Sequence, residues 1–402
     1  MSPGALAAFG PMAAQQTHPD SPGARVGLGE IAVQWGRIGC IGFGGPPVHI
    51  SLLRRLCVSQ RRWLSDSDFE RALAASSILP GPSSTQLSIY CAWRLRGARG
   101  ALVGGLAFIL PGLVLILGLS ALFLAGSPPR LVRGAGMGAG CAVAAVAVRA
   151  GLQIATPMWQ RAGRADRWTL LVYALAGAAA TATLGSWLVL VLLGCGALEL
   201  TRRRLRAGAG GLGAFALPVF AAVRAGRAAL VWTALKVGAL AFGGGFVIVP
   251  LMQSDAVGTY HWMSHSQFLC AVALGQVTPG PLVQTVAAVG YAAGGLGWGL
   301  LAAAVAFLPS FSFVMLGAGR YQRLLSNHLA EAFLAGAAPA SAGAIVGSAV
   351  PLTLALGEGW QYPLLGASAL ALLVARLPIV ATLLACGAIG ALLAGLGAPV
   401  LP

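Results

Sequence analysis

Long apolar runs alternate with short polar segments along the whole chain, and the polar segments carry most of the arginines. A helix needs about 20 residues to cross a bilayer core of about 30 Å. Four successive runs in each half predict such helices, at about 98–125, 131–155, 168–183 and 185–200, and again at about 296–318, 330–351, 360–375 and 377–396. The pattern predicts an all-α integral membrane protein that crosses the bilayer many times.

Each half opens with apolar runs that glycine and proline interrupt. The first run of each half contains a Phe-Gly-Gly break, at about 28–50 and at about 229–250. Two short runs follow and meet at Pro-Gly-Pro, at about 67–79 with 82–95 and at about 266–278 with 281–293. Because runs of about 12 residues cannot cross the bilayer core, each pair predicts a re-entrant helical hairpin.

These interrupted segments show that the chain is a tandem repeat. Phe43-Gly44-Gly45 matches Phe242-Gly243-Gly244, and Pro80-Gly81-Pro82 matches Pro279-Gly280-Pro281, both 199 residues further on. Internal repeats in a very apolar chain are typical of membrane transporters built from two related halves. We therefore predict two repeats, each with about five transmembrane helices and one hairpin.

The distribution of arginine predicts that the second repeat is inverted. Seven arginines flank the first hairpin: Arg54, Arg55, Arg61, Arg62, Arg94, Arg96 and Arg99. The corresponding segments 251–268 and 293–298 contain no Lys or Arg. Since basic loops remain in the cytoplasm, the two hairpins are predicted on opposite sides. The predicted domains are a flexible tail at 1–27, a first repeat at 28–206, a cytoplasmic linker at 207–224 and a second, inverted repeat at 225–402.

Composition agrees with a membrane protein and argues against other classes. Hydrophobic residues make up 57% and charged residues 9%, the mean hydropathy is +0.82 and the net charge is +16. A soluble domain has about 25% charged residues. The positive charge lies in short loops, which indicates topology and not a nucleic-acid partner. No metal, cofactor or nucleophile–base motif is present, so we expect no cofactor and no enzyme; a homo-oligomer stays open.

The Pro-Gly-Pro breaks predict the binding site. Backbone groups freed by a break within the membrane must be satisfied inside the protein or in a wet cavity. A helix that starts at Pro82 points its N–H groups at the break, and hydroxyl groups follow; this arrangement suits an anion. The predicted site residues of the two hairpins are Pro82, Ser83, Ser84 and Thr85, with Pro281, Gln284 and Thr285. The alternative is a proline kink that only shapes the helices.

The Phe-Gly-Gly breaks and two cations complete the predicted site. Gly44, Gly45, Gly243 and Gly244 permit unwinding and close approach of a ligand; tight helix crossing is an equal alternative. Arg37 and Lys236 occupy equivalent positions six residues before each break. A cation near the bilayer centre costs about 2.5–3.5 kcal/mol on insertion scales, so a pair of them suggests anion binding. Their alternative is snorkelling to an interface.

The interrupted segments resemble the two-domain chromate ion transporter family. The resemblance is carried by FGGPPVHI and LPGPSSTQ in the first half and by FGGGFVIVPLM and GQVTPGPLVQT in the second. It implies inverted halves and export of chromate, a tetrahedral dianion shaped like sulfate, across the inner membrane, which confers chromate resistance. Transport of sulfate or another oxyanion is the alternative. Gln276 matches a glutamine that the family often has before its hairpin break, which implies a role in binding, whereas Ser77 replaces it in the first half.

Overall fold

The structure of the chain is a computed structural model that describes residues 26–79, 81–124, 126, 128–183, 188–206, 226–241, 246–317 and 328–400. Within these ranges every regular element is helical, which confirms the predicted all-α class. Most of the tail predicted at 1–27 and the linker predicted at 207–224 lie outside the described residues, as do Gly243 and Gly244. The domain boundaries stay predictions.

The first half is a series of helices whose ends follow the glycine and proline positions. In the described residues they are α1 (Leu28–Ile41), α2 (Pro46–Arg54), α3 (Asp66–Ile78), α4 (Ser83–Phe123), α5 (Arg130–Cys141), α6 (Val143–Arg161), α7 (Arg164–Thr183) and α8 (Leu188–Arg206). Helix α2 continues as a π-helical turn over Arg55–Gln60. Helix α4 is bent at Gly97, where φ is +58°, so the hairpin arm and the following long helix are separate segments as predicted.

The second half repeats this order. Its described helices are α9 (Gly226–Leu240), α10 (Ile248–Gln253), α11 (His265–Val277), α12 (Thr285–Gly294), α13 (Leu296–Gly317), α14 (His328–Gly347), α15 (Ala349–Leu354), α16 (Gln361–Ala369) and α17 (Ile379–Gly395). A π-helical turn over Ser254–Thr259 follows α10, and a 3₁₀ turn over Leu282–Gln284 precedes α12.

Several of these helices are long and apolar enough to cross a membrane. By length and composition, four described segments qualify: Ser83–Phe123, Arg130–Arg161, Leu296–Gly317 and Glu331–Leu354. Shorter apolar helices cover Leu282–Gly294, Gln361–Val374 and Ile379–Gly395. The chain therefore has the helices of a multi-span membrane protein. The inverted threading of the repeats and the re-entrant path of the hairpins stay predictions.

Both hairpins have the same local construction. A serine caps the first arm of each: the hydroxyl of Ser65 accepts from the N–H of Asp68 at 3.1 Å, and that of Ser264 accepts from Gln267 at 3.2 Å. Each arm ends at an extended residue directly before a proline, as expected because the α conformation is disfavoured there. Gly81 and Gly280 then adopt φ of +113° and +96°, which L side chains rarely tolerate.

The two halves pack against each other through small residues. Helix α5 of the first half lies along α17 of the second, and α14 of the second half lies along α7 and α8 of the first. A Cβ atom added at Gly138 would lie 2.8 Å from the Cα of Gly390, and Gly343 packs in the same way on the backbone of Ala174. Glycine lets these helix backbones approach closely, as in other helical membrane proteins.

Candidate functional site

The first Phe-Gly-Gly break is held in place by a buried histidine. Gly44 and Gly45 have φ of +104° and +78°, and α2 starts directly after them. From α2, the ring of His49 turns back towards the break, with Nε2 2.9 Å from the carbonyl oxygen of Gly42 and Nδ1 3.3 Å from the Ser84 hydroxyl. His49 therefore joins the first break to the second arm of the first hairpin.

The carbonyl group of Gly42 also joins the first break to the second hairpin. The N–H of Gly280 donates to the Gly42 oxygen at 3.0 Å. Gly42 is thus the common partner of His49 and of the second Pro-Gly-Pro segment. This geometry brings the interruptions of two distant parts of the sequence into one region of the protein.

The first hairpin presents the start of α4 to this region. The N–H groups of Thr85 and Gln86 donate to the Pro82 oxygen at 3.0 and 3.1 Å. The preceding N–H groups, those of Ser83 and Ser84, come too early in the helix to have an acceptor within it. The Thr85 hydroxyl oxygen is buried and has no hydrogen-bond partner in the described structure. The N–H groups of Ser83 and Ser84 suit an anion, which helix N-termini favour, whereas the Thr85 hydroxyl is fully buried.

The second hairpin uses a buried glutamine to hold its break. The side-chain amide of Gln284 donates to the Thr278 hydroxyl at 3.0 Å and to the Pro279 carbonyl oxygen at 2.8 Å. The Thr285 hydroxyl donates to the Leu282 oxygen at 2.8 Å. By contrast, the amide nitrogen Nε2 of Gln276 is buried without a hydrogen-bond partner in the described structure. An unmatched buried donor costs about 1–3 kcal/mol unless a water or a ligand satisfies it.

Each hairpin tip packs on the long helix of the opposite half. Gly112 of α4 contacts the Pro279 oxygen and the Gln284 side chain of the second hairpin. Ser310 of α13 lies by the first hairpin, with its hydroxyl 3.6 Å from the position of a Cβ at Gly81. The two contacts are equivalent in the repeat, so each half supports the break of its partner.

A cavity of about 400 Å³ lies where these segments meet. Its lining comes from the first break, both hairpin tips and helices α6, α14 and α17. The polar side chains among the lining residues are Ser76, Ser77, Ser83, Gln153, Gln276 and Thr278. Gly275, Thr278 and Gly280 are buried at its inner end, whereas Gly44 and Gln153 are exposed at its mouth. The volume falls in the range of small-molecule sites.

The described residues that line the cavity include no charged side chain. Hydroxyl and amide groups are the polar side-chain groups of this lining. Such a site stabilises an anion by hydrogen bonds alone, each worth about 1.5–3 kcal/mol when one partner is charged.

The predicted site residues fall into several groups. Gly44, Gly45, Ser83 and Gln276 line the cavity. A further set is buried close behind the lining: Pro82, Ser84, Thr85, Pro281, Gln284 and Thr285. Gly243 and Gly244 are outside the described residues, next to Phe246, which lines the cavity.

The two predicted cations lie elsewhere. Arg37 is exposed on α1 and does not line the cavity. Lys236 is almost buried, and its Nζ lies 2.6 Å from Oδ2 of Asp255, whose side chain is 4% exposed. The Thr233 hydroxyl donates to the same oxygen at 2.7 Å. No local pattern indicates this pairing, because the residue equivalent to Asp255 in the first half is Leu56.

Other lining residues are missed by sequence reasoning because their segments carry no break. Ala150, Gln153, Ile154 and Met158 form one wall from α6, and Ile379 and Val380 contribute from the start of α17. Gln153 has Pro351 as its equivalent, so the repeat does not single it out. Its polar side chain within an apolar helix is the one available signal.

These features define a multi-span helical membrane protein with a cavity between two related halves, which is the architecture of a transporter. The chain belongs to the chromate transporter family, whose characteristic sequence matches residues 29–200 and 228–391. The resemblance drawn from the hairpin motifs is confirmed.

Individual relatives cover most of the chain. A chromate transport protein of Pseudomonas aeruginosa is 32% identical over 378 residues, which are 88% of this chain and 89% of that protein. A chromate transport protein of Cupriavidus metallidurans is 30% identical over 81% of this chain and 82% of its own length. A probable chromate transport protein of Synechococcus elongatus is 30% identical over 79% and 82%. No solved structure matches this chain.

Proposed function

We propose that this protein is a secondary active transporter that exports chromate across the inner membrane. Family membership supports an oxyanion as the substrate. The observation that carries the proposal is the cavity, uncharged over its described lining, where both hairpins and the first glycine break meet. Its donors suit a tetrahedral dianion, which accepts hydrogen bonds on every face and donates none.

The proposed site uses the neutral members of the predicted set. The N–H groups of Ser83 and Ser84, the Ser83 hydroxyl and the Gln276 amide bind the anion from two sides of the cavity. Gly44 and Gly45 leave room for it beside the first break. The residues behind the lining keep these donors in place, as the two hydrogen bonds from Gln284 illustrate.

The mouth of the cavity supports loading from the cytoplasm. Met158 and Ile379 both line the cavity; Met158 lies one turn before Arg161, and Ile379 lies three residues after Arg376. Loops rich in arginine face the cytoplasm. In this proposal the inverted halves then rock against each other, which closes the mouth and opens the cavity to the other side.

Everted membrane vesicles test the proposal. Vesicles from cells that express the protein should accumulate labelled chromate when a proton or voltage gradient is imposed, and vector controls should not. Accumulation in right-side-out vesicles alone would show uptake and refute export. No accumulation in either orientation would refute chromate transport.

A pair of variants tests the site itself. Gln276→Leu removes the unmatched donor, and the loss of one hydrogen bond to a charged ligand should raise KM roughly 10- to 150-fold. Ser77→Ala is the matched control, because the Ser77 hydroxyl lines the same cavity but already donates to the Leu73 oxygen at 2.9 Å. Equal KM values for the two variants would contradict the assignment.

Sulfate is the second candidate substrate, because the lining does not distinguish it from chromate. Neutral donors recognise the shape and charge of a tetrahedral dianion, and sulfate shares both with chromate. Competition in the same vesicles separates the candidates. Sulfate transport that chromate fails to inhibit would make chromate a minor substrate.

A further inference from the structure

Arg149 is a charged residue inside one of the long apolar segments, and the proposed function leaves it without a role. It lies on α6, within the candidate span Arg130–Arg161. Ionisable residues inside membrane segments are rare and usually functional. Its equivalent in the second half is Gly347, so the repeat does not explain it.

The position of Arg149 relates it to the mouth of the cavity. Gln153, four residues later, lies on the same face of α6 and is exposed at the mouth. The Nη1 group of Arg149 donates to the carbonyl oxygen of Leu377. Leu377 lies just before Ile379 and Val380, which line the cavity from the start of α17. Arg149 therefore connects the two walls of the mouth, at the edge of a described lining that carries no charge.

We propose that Arg149 is the capture residue of the transporter, which binds the incoming oxyanion and transfers it to the neutral cavity. This proposal rests on the proposed function. A guanidinium has five N–H donors, and one carbonyl oxygen uses only part of them. The remaining donors match a pair of oxyanion oxygens. A cation at the mouth raises the local concentration of anions, and the neutral groups of the described lining then let the anion move on.

The same contact suggests what capture does to the walls. An oxyanion competes with the Leu377 oxygen for the guanidinium because its charge makes it the stronger acceptor. Capture of the anion thus weakens the connection between α6 and the start of α17. The mouth can then change shape once a substrate has arrived.

The test compares chromate accumulation in everted vesicles that carry wild type, Arg149→Gln or Arg130→Gln. Arg130 is a matched control, because it begins the same candidate span and its Nη2 donates to the Ala398 carbonyl oxygen at 3.0 Å, away from the cavity. Arg149→Gln should raise KM roughly tenfold with kcat changed less than about twofold, since steering by charge alters encounter by roughly 10- to 1,000-fold. It should also flatten the dependence of kcat/KM on ionic strength. Arg130→Gln should do neither.

A second variant separates charge from the connection to Leu377. Arg149→Gln with Gln153→Arg moves the cation one turn along the same face, so KM and its salt dependence should recover. If KM of the double variant stays as high as that of Arg149→Gln, Arg149 serves to hold the two walls together. That result would overturn the proposal. An unchanged KM in Arg149→Gln would also overturn it.

Two further outcomes are distinguishable. If Arg149→Gln fails to accumulate in the membrane, Arg149→Lys replaces it: loss of the paired donors should raise KM roughly threefold, and an unchanged KM would overturn the proposal. If everted vesicles with the wild-type protein accumulate no oxyanion, the proposed function itself is refuted. If those vesicles do accumulate the oxyanion and the variants have unaltered kinetics, only the role of Arg149 is refuted.

Discussion

The buried pair of Lys236 and Asp255 offers the sharpest test of how charge is used in this protein. The Nζ of Lys236 lies 2.6 Å from Oδ2 of Asp255, and the two side chains are 10% and 4% exposed. At an effective dielectric constant of about 20, the attraction between the two charges is about 6 kcal/mol. Desolvation of both ions offsets much of it. Removing one partner leaves the other charge buried, which costs about 3–5 kcal/mol.

The expected pattern is a double-mutant cycle with strong coupling. Asp255→Asn and Lys236→Met should each lower the free energy of unfolding by about 3–5 kcal/mol, and the double variant should recover most of it or be more stable than wild type. Glu30→Gln is the control, because the Glu30–Arg61 pair at 3.3 Å is well exposed and should contribute about 0–1 kcal/mol.

The assay is thermal unfolding in detergent at one heating rate, followed by tryptophan fluorescence. The reasoning is refuted if the double variant unfolds as easily as the single variants. It is also refuted if the single variants lose no more stability than Glu30→Gln does. Transport by the stable double variant then tests the role predicted for Lys236. Retained chromate uptake would show that Lys236 serves the fold, and lost uptake in a stable protein would support anion binding.

Helix packing, topology and the second predicted cation can each be tested by substitution. Gly112→Ala should lower the free energy of unfolding by about 1–3 kcal/mol, because the added methyl group clashes with the second hairpin. Gly118 is on the same helix, and a Cβ added there meets no atom within 4 Å. Gly118→Ala should therefore raise the free energy of unfolding by up to about 1 kcal/mol in the same assay. With exposed Cys40 replaced, Gln60→Cys and Thr259→Cys should react with an impermeant maleimide from opposite sides of the membrane; the same side would refute inversion. Arg37→Gln should reduce chromate uptake if Arg37 binds the anion, and unchanged uptake would dismiss it.

The interruptions of the helices are predictable from the sequence because glycine and proline act locally. The ends of α3 and α11 follow directly from the prolines after Leu79 and Thr278. The repeat then identifies which interruptions belong together. For these reasons the predicted site residues Ser83 and Gln276, both close to a break, do line the cavity.

The remaining features depend on contacts between residues far apart in the sequence. The anion-binding role predicted for Lys236 stays a prediction, but nothing in the local sequence indicates that Asp255, nineteen residues later, is its partner. Gln153 and Val380 come from helices with no motif, and only the tertiary fold brings them to the same cavity. Periodicity and spacing describe one helix at a time, so they cannot predict such pairs.

The packing of α5 on α17 and of α14 on α8 has a consequence for how the chain is made. Helices of each half cover surfaces of the other half, so the two halves pack as two subunits would, although they belong to one chain. Two polypeptides, one ending after Arg206 and the other starting before Gly226, should assemble when they are synthesised together. Neither fragment alone supplies the whole lining of the cavity, so the cavity forms only when both are present.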